Sequence, residues 1–110
     1  MTWEEKLAAL KALTPTHLEM RKPGDWYVAA CSRETKVPGH CMLSGTYGNG
    51  KTPQEAVEDD WAQITAPGHD VIIDAMDPAV RRKARWNGSM WEITPDPFVS
   101  PSVARSVFQA

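Results

Sequence analysis

The strongest constraint on the fold is the pair Asn87-Gly88, which stands between two segments of alternating apolar and polar residues. Asn and Gly tolerate the positive φ angles of a two-residue turn, so segments 82–86 and 89–93 are predicted to form an antiparallel hairpin. A two-residue turn places Trp86 opposite Ser89. The apolar side chains that then share one face are Ala84, Trp86, Trp91 and Ile93.

Two amphipathic helices have clear start signals. Thr2 precedes the first helix, expected over residues 2–13, and Glu5 completes a capping box. Thr52 precedes the second helix, which has a proline at its first position and ends at Pro67-Gly68. The apolar residues at helical spacing are Trp3, Leu7, Leu10 and Leu13 in the first helix, and Val57, Trp61 and Ile64 in the second.

The remaining strand signals indicate an α+β fold. Residues 26–32 alternate as a strand does, and a second strand, roughly Cys41–Tyr47, returns as its antiparallel partner. A short buried strand is expected over Asp70–Ala75. The two hairpins and the two helices give a predicted order of an N-terminal helix followed by β-β-α-β-β. The sheet is expected to be mostly antiparallel, with the helices on one face. The residues expected in or near the core are Trp26, Val57, Trp61, Trp91 and Ile93.

Length and composition fit one domain. The chain has 110 residues, 42% of them hydrophobic and 24% charged, which is typical of globular proteins. We expect residues 1–94 to form the domain and 95–110 to form a Pro- and Ser-rich tail with a candidate short helix. No stretch reaches the ~18 apolar residues of a membrane span, and the charged start is unlike a signal peptide, so a cytoplasmic protein without a membrane partner is expected.

The segment 45–52 matches the phosphate-binding loop pattern of Gly, four residues, Gly, Lys and Thr. In such a loop, backbone N–H groups wrap phosphates, Lys51 neutralises them and Thr52 holds Mg²⁺. The alternative is a glycine turn between a strand and a helix. We favour the turn because the helix starts late for a phosphate loop and the parallel sheet of such proteins is not expected. Nucleotide binding is therefore the least favoured function, and no cofactor is expected.

The cysteines and histidines do not predict a metal site or a nucleophile. They lack the paired spacing, such as Cys-x-x-Cys, of structural zinc sites. His40 and Cys41 are neighbours in a predicted strand and therefore point to opposite faces. The residues considered are His17, Cys31, His40, Cys41 and His69. We expect neither a metal nor an enzyme.

Two charged surfaces are candidates for binding. An acidic face on the second helix, which suits a basic partner, consists of Glu55, Glu58 and Asp59. The segment 81–86 is basic and stands next to aromatic residues, a composition found in single-stranded nucleic-acid binders. Its candidate residues are Arg82, Lys83 and Arg85. A net charge of -2 argues against nucleic-acid binding as the main role, and both surfaces are also ordinary for solvated faces.

Several short motifs resemble those of small phage and prophage accessory proteins. These motifs are Gly24-Asp-Trp-Tyr-Val, the glycine run 45–50, Thr52-Pro-Gln-Glu-Ala-Val-Glu-Asp-Asp-Trp61 and the late Arg85-Trp-Asn-Gly-Ser-Met-Trp-Glu92. The first part is also similar to HicB-like antitoxin domains, in which a hairpin leads through Gly and Thr into a Glu-Ala helix. Small anti-CRISPR proteins share this hairpin–helix–hairpin layout. The resemblance covers residues 24–94.

The resemblance implies a non-enzymatic accessory protein that binds a host or phage macromolecule. No recognisable DNA-binding segment follows the domain, as one would in a HicB antitoxin. Stoichiometric binding to a protein, such as a component of a host defence system, is therefore the favoured function. A nucleic-acid-binding module that uses the basic hairpin 81–86 is the alternative.

Overall fold

The computed structural model describes residues 1–36 and 43–96, which form two helices and six strands in the order α-β-β-β-α-β-β-β. The elements are α1 (Trp3–Leu13), β1 (Thr16–Lys22), β2 (Asp25–Lys36), β3 (Leu43–Gly50), α2 (Pro53–Ile64), β4 (Asp70–Ile73), β5 (Arg82–Trp86) and β6 (Trp91–Pro95). Every strand pairing among these residues is antiparallel. The predicted α+β class and mostly antiparallel sheet are confirmed.

The long strand β2 organises the sheet. Strand β3 pairs along one edge of β2, whereas β1 and β4 share the other edge, with β1 on its first half and β4 on its second. Strands β5 and β6 continue the sheet outward from β4. Helices α1 and α2 cover one face, as predicted, and the opposite face carries no helix among the described residues.

Strand β1 is an addition to the predicted order, since residues 16–22 are mostly weak strand formers and no strand is expected there from the sequence. The strand forms because Leu18 packs against the core while His17 and Glu19 point to the other face. Its neighbour Met20 is largely exposed, so only one side chain of the strand packs against the core.

The two helices begin where their cap residues predict. Thr2 and Glu5 form a capping box, and the hydroxyl of Thr52 accepts a hydrogen bond from the backbone N–H of Glu55. The core between the helices and the sheet consists of Leu10 and Leu13 of α1, Val57, Trp61 and Ile64 of α2, and Val28, Val71, Ile73 and Ala84 of the sheet. Trp26 and Trp91 pack against this core and are half-buried, close to the prediction.

The late hairpin forms, but its register differs from the prediction by two residues. Trp86 pairs with Trp91 rather than with Ser89, and the loop has four residues instead of two. The Asn87 side chain accepts hydrogen bonds from the N–H groups of Ser89 and Met90, which stabilises the longer loop. This register places the two indole rings 5.1 Å apart, edge to face, and both contact Trp61.

The structure differs from two further expectations. Ile93 is 44% exposed rather than buried, because it lies on the edge strand β6, although its partner Ala84 is buried. Strand β3 continues past Tyr47 to Gly50, because the glycines remain paired with β2. Cys41, His40 and the short helix expected within 95–110 lie outside the described residues.

Candidate functional site

The carboxylates of the predicted acidic face each bind a group within the domain. Asp59 accepts a hydrogen bond of 3.0 Å from the backbone N–H of Asn49, and Glu55 accepts one of 2.7 Å from the N–H group that directly follows β3. Glu58 forms an ion pair of 2.7 Å with Lys6 of α1. These contacts connect α2 to β3 and to α1, so all three predicted residues help to position the helix.

The cations of the predicted basic hairpin are divided between the two faces of the sheet. Arg85 donates two hydrogen bonds to Asp70, at 3.0 and 2.6 Å. Arg82 lies 3.9 Å from Asp74 on the helix side, whereas Lys83 is half-buried on the opposite side beside Arg85. Neighbouring carboxylates therefore offset much of the positive charge that the sequence concentrates in 81–86.

The glycine segment 45–50 does not form a phosphate loop. It lies within β3, and its residues pair with β2 rather than wrapping around a central cavity. A Cβ atom at Gly48 would lie 2.8 Å from the backbone nitrogen of Asp60, and one at Gly50 would lie 2.6 Å from that of Ala56. The spacing that resembles a nucleotide motif thus permits close packing of α2 against β3.

The described cysteine and histidines are dispersed. Cys31 is an exposed free thiol, and His17 lies 4.0 Å from Glu19. The Nδ1 atom of His69 lies 3.1 Å from the backbone oxygen of Gln63. Within residues 1–36 and 43–96, no group of three or more His, Cys, Asp or Glu residues is arranged to hold a metal ion.

Among the same residues, no helix has the length and apolarity needed to cross a membrane.

A buried ion pair between Arg33 and Asp60 joins β2 to α2, and no pattern in the sequence indicates it. The two side chains are completely buried, Arg33 Nη2 donates to Asp60 Oδ2, and Arg33 Nε donates to the hydroxyl of Thr46 at 3.1 Å. Strand alternation would place Arg33 on the open face together with Tyr27. Ser32 has a φ of 56°, and the irregular pairing at this point reverses the alternation, so Arg33 faces the helix.

Burial raises the pKa of the Asp60 carboxyl above its ordinary value, and the positive charge of Arg33 offsets part of this effect. Nearby Asp59 adds a smaller upward contribution to the pKa. Asp60 Oδ1 and Arg33 Nη1 are buried and have no hydrogen-bond partner among the described residues. The pair is enclosed by the fold and is therefore structural rather than a surface for ligands.

The face of the sheet opposite the helices carries an aromatic cluster. Tyr27 of β2 and Tyr47 of β3 have ring centroids 5.8 Å apart, and the side chain of Tyr47 is largely exposed, with a residue exposure of 52%. The Arg21 guanidinium of β1 lies 3.6 Å from the centroid of the Tyr27 ring. We refer to Arg21, Tyr27 and Tyr47 together as the tyrosine face.

Two further cations lie at the same end of the sheet as the tyrosine face. Lys22 lies opposite Asp25 in the backbone register at the β1–β2 turn. Lys51 directly follows Gly50, which lies opposite Trp26 in the β2–β3 register. In the described part of the chain, no carboxylate lies within 4.0 Å of the charged groups of Arg21, Lys22 or Lys51. This end of the sheet therefore combines exposed aromatic surface with cations that form no ion pair with the described residues.

The sequence pattern predicts the position of only one member of the tyrosine face. Alternation in 26–32 correctly placed Tyr27 on the face away from Trp26 and Val28. The approach of Arg21 depends on β1, which the sequence pattern did not indicate, and the approach of Tyr47 depends on the β2–β3 register. Comparison of the chain with protein-family models, curated proteins and solved structures found no match.

Proposed function

We propose that the chain is a small, non-enzymatic phage or prophage accessory protein that acts by stoichiometric binding to another protein. The partner would be a host or phage protein in the host cytoplasm, and an inhibitor of a host defence system, like an anti-CRISPR protein, is the role we favour. The observation that carries the proposal is the tyrosine face. Tyr and Arg are enriched at the energetic centres of protein interfaces.

Charge distribution supports this surface over the two predicted from the sequence. Glu55, Glu58 and Asp59 hold α2 in place, so a partner that bound them would compete with internal contacts. The basic hairpin supports nucleic-acid binding less well, because Arg85 is engaged by Asp70. The tyrosine face combines exposed aromatic area with a cation that makes no internal ion pair among the described residues.

Replacing both tyrosines with alanine is expected to reduce capture of the partner by about tenfold or more, since an interface centre contributes about 2 kcal/mol or more per residue. The measurement is a pull-down of the tagged full chain from nuclease-treated host lysate, quantified by mass spectrometry. The variant is Tyr27→Ala/Tyr47→Ala.

The matched control is Met76→Ala/Val80→Ala, which removes two exposed apolar side chains at the β4–β5 connection, 92% and 49% exposed. It should capture the partner as the wild type does. Equal capture by the tyrosine variant would contradict the proposal, as would recovery of nucleic acid alone before nuclease treatment. Circular dichroism checks that both variants fold.

A further inference from the structure

The Arg21 guanidinium contacts an aromatic ring and makes no hydrogen bond or ion pair to the described residues. Its central carbon lies over the Tyr27 ring, 3.6 Å from the centroid, which is a cation–π contact. A cation–π contact does not use the N–H donors of a guanidinium, so they can still bind another partner. Glu19 stands two residues earlier on the same strand, yet no ion pair within 4.0 Å joins it to Arg21. Stacking on Tyr27 therefore restricts Arg21 without consuming its donors.

The charges around Arg21 include both signs and add no positive excess, so the positive charge of the tyrosine face is that of Arg21 itself. Lys22 and Lys51 flank the face, Glu19 and Asp25 are the carboxylates on the adjoining strand segments, and Glu55 accepts a hydrogen bond from the backbone N–H of Lys51. Glu19 lies opposite Tyr27 in the β1–β2 register, and its carboxylate is 4.0 Å from His17 Nε2. A guanidinium that is already ordered loses little entropy when it binds a planar carboxylate through two parallel hydrogen bonds.

We propose that the tyrosine face receives a carboxylate-bearing segment of a partner protein, with Arg21 as the residue that binds the carboxylate. This inference rests on the proposed protein-binding function and specifies the chemistry of the partner. The exposed ring of Tyr47 would contact the apolar part of the same segment.

A protein segment fits this site better than a nucleic acid does. Single-stranded nucleic-acid sites stack bases on open aromatic rings along a continuous positive groove. Here Arg21 already covers one side of the Tyr27 ring, and the described cations outside ion pairs do not form a continuous groove, since Lys36 lies at the opposite end of β2 and Lys83 on β5. The segments 37–42 and 97–110 of this chain contain no Asp or Glu, so they do not complement Arg21 by side-chain charge.

The test titrates the isotope-labelled full chain with a blocked peptide, Glu-Glu-Tyr-Glu-Glu, and follows backbone amide resonances. The peptide should shift the resonances of Tyr27 and Tyr47, and Arg21→Gln should weaken its binding by about tenfold, because a hydrogen bond to a charged group is lost. The matched control, Lys36→Gln, removes an exposed cation at the opposite end of β2 and should bind as the wild type does.

Four results would overturn the inference. They are equal binding of the neutral peptide Gln-Gln-Tyr-Gln-Gln, tighter binding of a ten-residue oligothymidine, docking of a synthetic peptide of residues 97–110 on this face in preference to the acidic probe, and concentration-dependent shifts of Tyr27 and Tyr47 without any probe. Either of the last two results would mean that the tyrosine face binds a segment or a second copy of this same chain.

The same variants separate this inference from the function on which it rests. If Arg21→Gln captures the lysate partner as the wild type does, whereas Tyr27→Ala/Tyr47→Ala does not, the carboxylate inference fails and the protein-binding function stands. If neither variant changes the capture of the partner, the tyrosine face is not the binding surface and both proposals lose their basis; if no protein is captured at all, the protein-binding function fails.

Discussion

Replacing Gly48 with alanine should lower the free energy of unfolding by about 3 kcal/mol or more, because the added methyl group has no space between β3 and α2. It would overlap the backbone oxygen of Ala56 and lie 2.8 Å from the nitrogen and 2.9 Å from the Cβ of Asp60. These are mostly backbone atoms of a helix, which cannot move aside as a flexible side chain does. Relief therefore requires the whole helix to shift from the sheet.

Gly45 provides the matched control, because it lies in the same strand and a Cβ atom added there would meet nothing within 4 Å. Gly45→Ala should change the free energy of unfolding by no more than about 0.5 kcal/mol. Urea denaturation of both variants, followed by tryptophan fluorescence, measures the difference. Similar stability of the two variants would contradict the role of Gly48 in packing and would reopen the nucleotide-loop interpretation of 45–52.

Removing either partner of the buried ion pair should destabilise the fold by a similar amount, whereas removing both partners should not. Arg33→Met or Asp60→Leu alone leaves one buried charge without its counterion and is expected to cost about 3–5 kcal/mol. The double variant replaces both charges with apolar side chains, and its stability should equal or exceed that of the wild type. A double-mutant cycle measured by urea denaturation tests this, and a double variant as unstable as the sum of the singles would contradict it.

The pH dependence of stability provides a second measurement on the same pair. Because burial raises the pKa of Asp60 in the folded chain, the folded state holds this proton more tightly than the unfolded state does. The contribution of Asp60 to stability is then complete below its unfolded pKa and declines as the pH rises through the folded pKa. Relative to Asp60→Asn, which does not titrate, the wild type should lose stability across that interval. If the difference in unfolding free energy between the wild type and Asp60→Asn stays constant across that interval, the raised pKa of Asp60 is contradicted.

Local signals in the sequence predicted the parts of the fold that depend on neighbouring residues. Thr2 and Thr52 cap helices because a hydroxyl before a helix satisfies a free N–H group, which needs no distant partner. The alternation around Ala84 placed the tryptophans on the correct face, even though the turn had four residues. A shift of two residues preserves the faces of both strands, so the pattern could not distinguish the two registers.

Features that depend on distant contacts were not predictable. The tryptophan cluster that selects the hairpin register includes Trp61, which belongs to another element. The reversal of alternation at Ser32 has no marker in the sequence, since serine is uncommon at positive φ, and without it Arg33 would be assigned to the open face. Most of the predicted charged residues are exposed, whereas Glu58 and Lys83 are half-buried. The ion pair of Glu58 with Lys6 required the packing of α1 against α2, which the sequence did not indicate.

The most direct test of the tyrosine face as a protein-binding surface is site-specific photo-crosslinking in host cells. A benzoylphenylalanine at position 49, opposite Tyr27 in the β2–β3 register, samples this face, and one at position 62, on the exposed side of α2, serves as the control. We predict a single, stoichiometric protein adduct from position 49 and none from position 62. An adduct from position 62 alone, or nucleic acid as the only species crosslinked at position 49, would contradict the proposed function.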